Sequence, residues 1–142
     1  MDSKLHAVLL GCVLASAGML LAMPASAHHS VQAEFDVHKS VSVTGTVLKI
    51  EAINPHSYLT ITVKDANGNE QKWGFEFGGP RQLRQAGLGR DGLKPGDQVT
   101  VQALAAKDGS TNGYLEKLTV DGRVYNVGPT ASELGPDANS AK

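Results

Sequence analysis

From Val41 to Val127 the hydrophobic residues recur mostly with period two, the pattern of strands that bury one face. Val41 and Val43 share a face, and after Gly45 the apolar phase passes to Leu48 and Ile50. A phase switch at a glycine predicts a bulge or sharp bend within one long first strand. Asn54-Pro55-His56-Ser57 interrupts the pattern as a turn, because Pro55 has no N–H to give a ladder. Leu59, Ile61 and Val63 then alternate with Tyr58, Thr60 and Thr62. Asn67-Gly68 reverses the chain, and Trp73, Phe75 and Phe77 alternate on the returning strand.

Gly78-Gly79-Pro80 ends that strand. Pro80 to Ala86 predicts a short helix with Leu83 and Ala86 facing inward and Gly87 as its stop. Lys94-Pro95-Gly96-Asp97 is a tight turn into a strand built on Val99, Val101 and Ala103. After the flexible stretch 108–113, Tyr114 to Val120 returns, Asp121-Gly122 turns, and Val124 to Val127 adds an edge strand. Residues 28–40 are polar and aperiodic apart from Val31, Phe35 and Val37, and read as an N-terminal arm. Residues 128–142, rich in Gly, Pro, Ser, Asn and Ala, read as a disordered tail.

Three strands, a short helix and two or three further strands predict a mainly β domain over 41–127. The expected architecture is a small five- to six-stranded antiparallel Greek-key barrel, OB-like, with its one short helix between strands 3 and 4. A β-sandwich or an SH3-like barrel fits the same string of elements. The barrel alone implies no activity, since such barrels bind oligonucleotides, sugars, ions and proteins.

The first 27 residues read as an export signal. Lys4 supplies a positive start, Ala7 to Ala22 form an apolar run of 16 residues, Pro24 breaks it, and Ala25-x-Ala27 presents small side chains to a peptidase. The run is shorter than the ~20 residues of a spanning helix, so no stable membrane span is expected after cleavage. The protein is therefore expected to be periplasmic or secreted. Cys12, the single cysteine of the 142 residues, lies inside this segment, and too few apolar residues precede it for lipoprotein anchoring. With residues 1–27 removed, no disulfide and no thiolate metal site can form.

Hydrophobic residues make up 41% and charged residues 19% of the chain, with a net charge of −1, the balance of an ordinary globular domain. Nothing in that charge forms the clustered basic face that nucleic acid requires. Arg81, Arg84 and Arg90 make a small basic group around the helix, which reads as a solvated face.

The candidate chemistry is histidine. Cleavage after Ala27 would start the chain at His28-His29, where the α-amine and the His28 Nδ1 can chelate one ion and an imidazole from elsewhere can complete three nitrogens. Such a set suits copper, which tops the affinity order for nitrogen sites. Cleavage after Ala25 would start it Ser26-Ala27-His28, a square-planar copper or nickel pattern. His56 is the preferred partner because its turn follows the first strand. His38 is a further candidate, and Asp36 or Glu76 could orient a bound imidazole from behind. On strand alternation Glu76 faces away from Phe75 and Phe77, toward solvent.

The alternative to a copper-binding module is an envelope barrel that binds a protein or a small ligand without metal, its histidines only fixing the arm. A copper redox enzyme is a third reading, but no substrate-specific motif accompanies it. Ser30 and Ser57 lie beside histidines without a third orienting group, so no catalytic residue is assigned.

Taken together, Ala27-His28-His29-Ser30, Phe35-Asp36, Gly45-Thr46-Val47, Asn54-Pro55-His56-Ser57, Trp73-Gly74-Phe75-Glu76 and Leu93-Lys94-Pro95-Gly96-Asp97 resemble a family of exported bacterial proteins classed as a domain of unknown function. The likeness covers about residues 27–127. It implies a signal peptide, a compact barrel-like domain, and a shared His-His-Ser start and Asn-Pro-His turn, with no activity attached.

Overall fold

A computed structural model describes residues 31–89 and 91–134. A short helix α1 (Val31–Glu34) leads into the 17-residue strand β1 (Phe35–Glu51), followed by β2 (His56–Lys64) and β3 (Glu70–Gly78). Helix α2 (Pro80–Gln85) then precedes β4 (Gln98–Ala106), β5 (Asn112–Val120), the short β6 (Arg123–Asn126) and α3 (Ala131–Leu134). The strands lie in the order β3-β2-β1-β4-β5-β6, and β3 also pairs with β5. That last pairing closes strands one to five into a barrel, which selects the OB-like architecture over a sandwich.

The closing seam is parallel while every other pair is antiparallel. A closed ring of five strands cannot alternate direction throughout, so one parallel pair is required. It falls between β3 and β5, which both run with β1. Leu59, Ile61, Phe75, Phe77, Val99 and Val101 fill the interior with the period of two that inward positions require, and Leu115 and Leu118 join them because the β4–β5 register slips at Glu116.

β1 serves both halves of the barrel. Its first part pairs with β4 and its last part with β2, the two ladders meeting at Thr46. Gly45 sits just before this junction, where a Cβ would run into the Thr62 carbonyl oxygen and crowd Ile61. The glycine is thus a close-approach position, and the bulge expected there lies three residues on. The register slips between Val47 and Lys49, so that Leu48 is the extra residue and stands 42% exposed while Val47 is buried. The turn at 94–97 fixes this point, since Gly96 N donates to Val47 O and Val47 N donates to Asp97 O, at 2.8 and 2.9 Å.

Helix α2 plugs one end of the barrel with Leu83. Gly87, at φ +91°, stops it: Leu88 N reaches back to Leu83 O and Gly87 N to Arg84 O, the paired bonds of a glycine-terminated helix.

Two boundaries differ from the sequence expectation. β1 starts at Phe35 rather than Val41, so 35–40, read as arm, is strand. Phe35 and Val37 bury against Leu104 and Tyr114 in a second small cluster, and the β1–β4 register slips between Asp36 and Ser40, leaving residues 37–39 unpaired with β4. The tail read from residue 128 is ordered as far as 134. Gly128 N and Val127 N both donate to Glu116 O, and Gln32 Nε2 donates to Leu134 O. Residues 135–142 lie outside the described residues. Among the described residues no helix is long and apolar enough to cross a membrane.

Candidate functional site

His56 is the first residue of β2, and its position follows from the loop before it. The Asn54-Pro55 peptide is cis, and the hydroxyl of Ser57, fully buried, donates to Ile53 O at 3.1 Å across the loop. That bond also removes Ser57 as a free nucleophile. With Ser57, Leu59 and Ile61 inside, strand alternation sets His56, Tyr58 and Thr60 on the outer face. On β3, Phe75 and Phe77 point in, so Glu76 points out. Tyr58 lies opposite Glu76, and His56 opposite Gly78, which makes His56 and Glu76 diagonal neighbours.

The diagonal closes on itself: His56 Nδ1 lies 2.5 Å from Glu76 Oε1, with the two side chains 33% and 20% exposed. Nδ1 is enclosed and makes no hydrogen bond of regular angle among the described residues, so the carboxylate is its near neighbour by proximity. Glu76 faces outward, as strand alternation requires, and there lies against an imidazole. With Nδ1 turned onto the carboxylate, Nε2 is the ring nitrogen left for a ligand.

Beside Glu76 the outer face of β2 and β3 opens into a cleft of about 590 Å³, which Glu76 lines and His56 does not. Glu34 at the end of α1, Glu51 at the end of β1, Tyr58, Glu76 and Asp108 line it. Its charge balance is acidic, four carboxylates against Lys107, whose ammonium donates to Gln32 O. The tyrosines report that field. The Tyr58 hydroxyl is pushed up from its ordinary pKa by partial desolvation and by the charges of Glu76, Glu34 and Glu51, and that of Tyr114 by burial and then Glu76. Asp108 is held below the usual carboxylate range by the hydroxyl and N–H of Ser110. It therefore stays charged at the cleft rim.

The buried phenol carries a pH prediction. The folded state holds the Tyr114 proton more tightly than an unfolded chain, whose tyrosines ionise near 10. Stability is unaffected below pH ~10 and falls above it, where the unfolded state loses its proton first. Tyr114→Phe is expected to flatten that alkaline decline, and urea midpoints from pH 8 to 11 would show it. Parallel curves for the two proteins would refute the assignment.

The remaining sequence candidates fall elsewhere. His28 and His29 lie outside the described residues. His38 is exposed on the β1 irregularity, and its backbone N–H donates to Asp36 Oδ1 at 2.9 Å, so one Asp36 oxygen braces a local backbone turn. Among the described residues no three His, Cys, Asp or Glu side chains converge to hold a metal. The sequence reading missed Tyr58, Glu51 and Asp108. Alternation in β2 already put Tyr58 beside His56, whereas the others reach the cleft from distant strands and loops.

A family model matches residues 17–116, most of the chain. The chain belongs to DUF6152, a family of unknown function. No curated relative matches this DUF6152 protein in sequence. Among solved structures it is similar to the mitochondrial single-stranded DNA binding protein Rim1 from S. cerevisiae, at 14% identity and a TM-score of 0.46, covering 58% of this chain and 93% of that one. It is also similar to part of TiaS in its complex with tRNA and ATP, at 23% identity and a TM-score of 0.43, covering 61% of this chain and 19% of that one. A third is the small single-stranded DNA-binding protein from Streptomyces coelicolor, at 14% identity and a TM-score of 0.37, covering 58% and 91%.

Proposed function

We propose that this DUF6152 protein is an exported metal-binding module, working in the periplasm or outside the cell after residues 1–27 are removed, and that it holds one copper ion through His28, His29 and His56. The observation that carries this reading is the His56–Glu76 pair. A carboxylate behind Nδ1 fixes ring orientation and raises the basicity of the other nitrogen, the arrangement typical of a metal-bound histidine.

Two features support it. Ala33 and Glu34 line the cleft that Tyr58 and Glu76 also line, so the start of the described chain lies on the same cleft as the carboxylate beside His56. His28 and His29 precede Val31 by two or three residues, and three extended residues reach about 10 Å. The acidic lining also raises the local concentration of a cation. Nitrogen donors without a thiolate favour copper over a closed structural zinc site.

The acidic cleft favours a second reading, a metal-free envelope module that takes a cationic small ligand or a protein segment on the same face. A phosphate backbone would find four carboxylates and one ammonium there, the wrong sign for nucleic acid.

Native mass spectrometry of the tag-free protein from the periplasm, with and without one equivalent of Cu(II), separates these readings. The copper reading expects a chain starting at His28 that retains one ion. At a free-ion concentration 100 times Kd, binding adds ~2.7 kcal/mol of stability. For a domain of this size that is a rise in Tm of about 10 °C. A mature chain indifferent to copper, nickel and zinc would refute it and leave the metal-free module.

A further inference from the structure

A second cavity, of about 770 Å³, lies between α2, the segment after it and the connection from β1 to β2. Its size is that of a small-molecule pocket. Leu83, Leu88 and Leu93, all buried, line it together with Ile50. Arg81 and Arg84 line it as well, both exposed and one turn apart on α2. No carboxylate is among its described lining residues. Among the described residues neither guanidinium is held in an ion pair or a side-chain hydrogen bond. In its charge this cavity is the opposite of the acidic cleft at Glu76.

Exposed arginines on a helix are ordinarily just solvated. Here two of them border a recess that the fold leaves open, with leucine side chains at its base, and neither is neutralised from within. Residues three apart on a helix stand about 5–6 Å from one another, so two guanidiniums can converge on one carboxylate. Arginine's planar fork suits that group, and a charge-assisted bond is about twice as strong as a neutral one.

We propose that this cavity binds a carboxylate amphiphile, a single carboxylate on an aliphatic body, with Arg81 and Arg84 holding the head and Leu83, Leu88, Leu93 and Ile50 enclosing the tail. Charge complementarity selects the head and the leucine lining selects the tail. The site is independent of copper and of His56. Its ligand is a free monomeric amphiphile.

The test is a titration of the 15N-labelled mature protein with octanoate, followed by amide shifts, with octylammonium and hexanoate as matched probes. Octanoate is expected to shift Ile50, Arg81, Leu88 and Leu93 in saturable fashion and to bind at least tenfold more tightly than octylammonium. Each methylene taken out of water is worth about fourfold in affinity, so hexanoate, two methylenes shorter, is expected to bind about fifteenfold more weakly. The double variant Arg81→Gln/Arg84→Gln, altered only at exposed positions, is expected to keep its Tm and lose about tenfold in octanoate affinity, the worth of one charged hydrogen bond. The proposal is overturned if octanoate produces no saturable shifts at those residues, if octylammonium binds equally well, or if the double variant binds octanoate as the parent does.

Discussion

His56→Ala is expected to weaken copper binding by more than about 100-fold, and Glu76→Gln by about 10- to 100-fold, the usual loss when the carboxylate behind a metal-bound histidine is removed. The two variants act on one unit, since Glu76 reaches the ion only through the His56 ring. The double variant should therefore be no worse than His56→Ala alone, which is the non-additivity of contacting residues. His56 lies on the outer face and is a third exposed, so its loss leaves the core intact. The metal-free Tm is expected to stay within about 3 °C of the parent, as for a surface substitution. Competition against a chelator of known copper affinity measures all three, and the nitrogen hyperfine pattern of the Cu(II) spectrum counts the imidazoles. If both single variants bind copper as the parent does, the ion is held by the N-terminal segment alone. His56 and Glu76 would then be a surface ion pair.

Much of that pair is legible in the sequence. Leu59 and Phe75 both need the interior, and Leu59 can face Phe75 across a hairpin only if an odd number of residues separates the strands. The loop is indeed 65–69, tied by Asp65, which accepts N–H bonds from Asn67 and Asn69. A slip of one residue would have flipped every side chain. The alternation of hydrophobics thus fixes Tyr58 against Glu76, and with it the diagonal to His56. The rest of the cleft was hidden because it is assembled by strands far apart in the chain: Glu51 comes from β1, Asp108 from the β4–β5 loop, and Asn112 and Gly113 from the parallel seam. No local period encodes a parallel seam.

The same division holds for the fold. Strands β2 to β5 and helix α2 were legible because each carries its own periodicity or stop signal. Residues 35–40 were not, because their strand character comes from β4, and only Phe35 and Val37 mark it. The order of 128–134 likewise comes from Glu116 and Gln32, remote in sequence. The bulge shows the limit most clearly. Val47 and Leu48 are adjacent and both apolar, so the pattern announces a change of phase without saying which of them is extra. The turn at 94–97 decides it by hydrogen-bonding both sides of Val47.

Gly45→Val is expected to destabilise the protein by about 3 kcal/mol, the upper end for overpacking a filled core. In a domain of this size that lowers Tm by more than about 10 °C. The position lies just before β1 passes from β4 to β2, and a Cβ there meets the Thr62 carbonyl on one side and Ile61 at 3.1 Å on the other. Thr62 O belongs to a backbone that also pairs with β3, so it cannot retreat without opening the β2–β3 ladder. Valine is otherwise a strong strand former, and the loss would be steric rather than one of propensity. Ser42→Val makes the internal comparison: same strand, same β-branched side chain, exposed position, with an expected change within ~0.5 kcal/mol. Thermal and urea unfolding of the two variants side by side decides the matter. A Gly45→Val protein as stable as Ser42→Val would mean that β1 passes between its two ladders without the close approach described for Gly45, and the barrel corner would have to be redrawn.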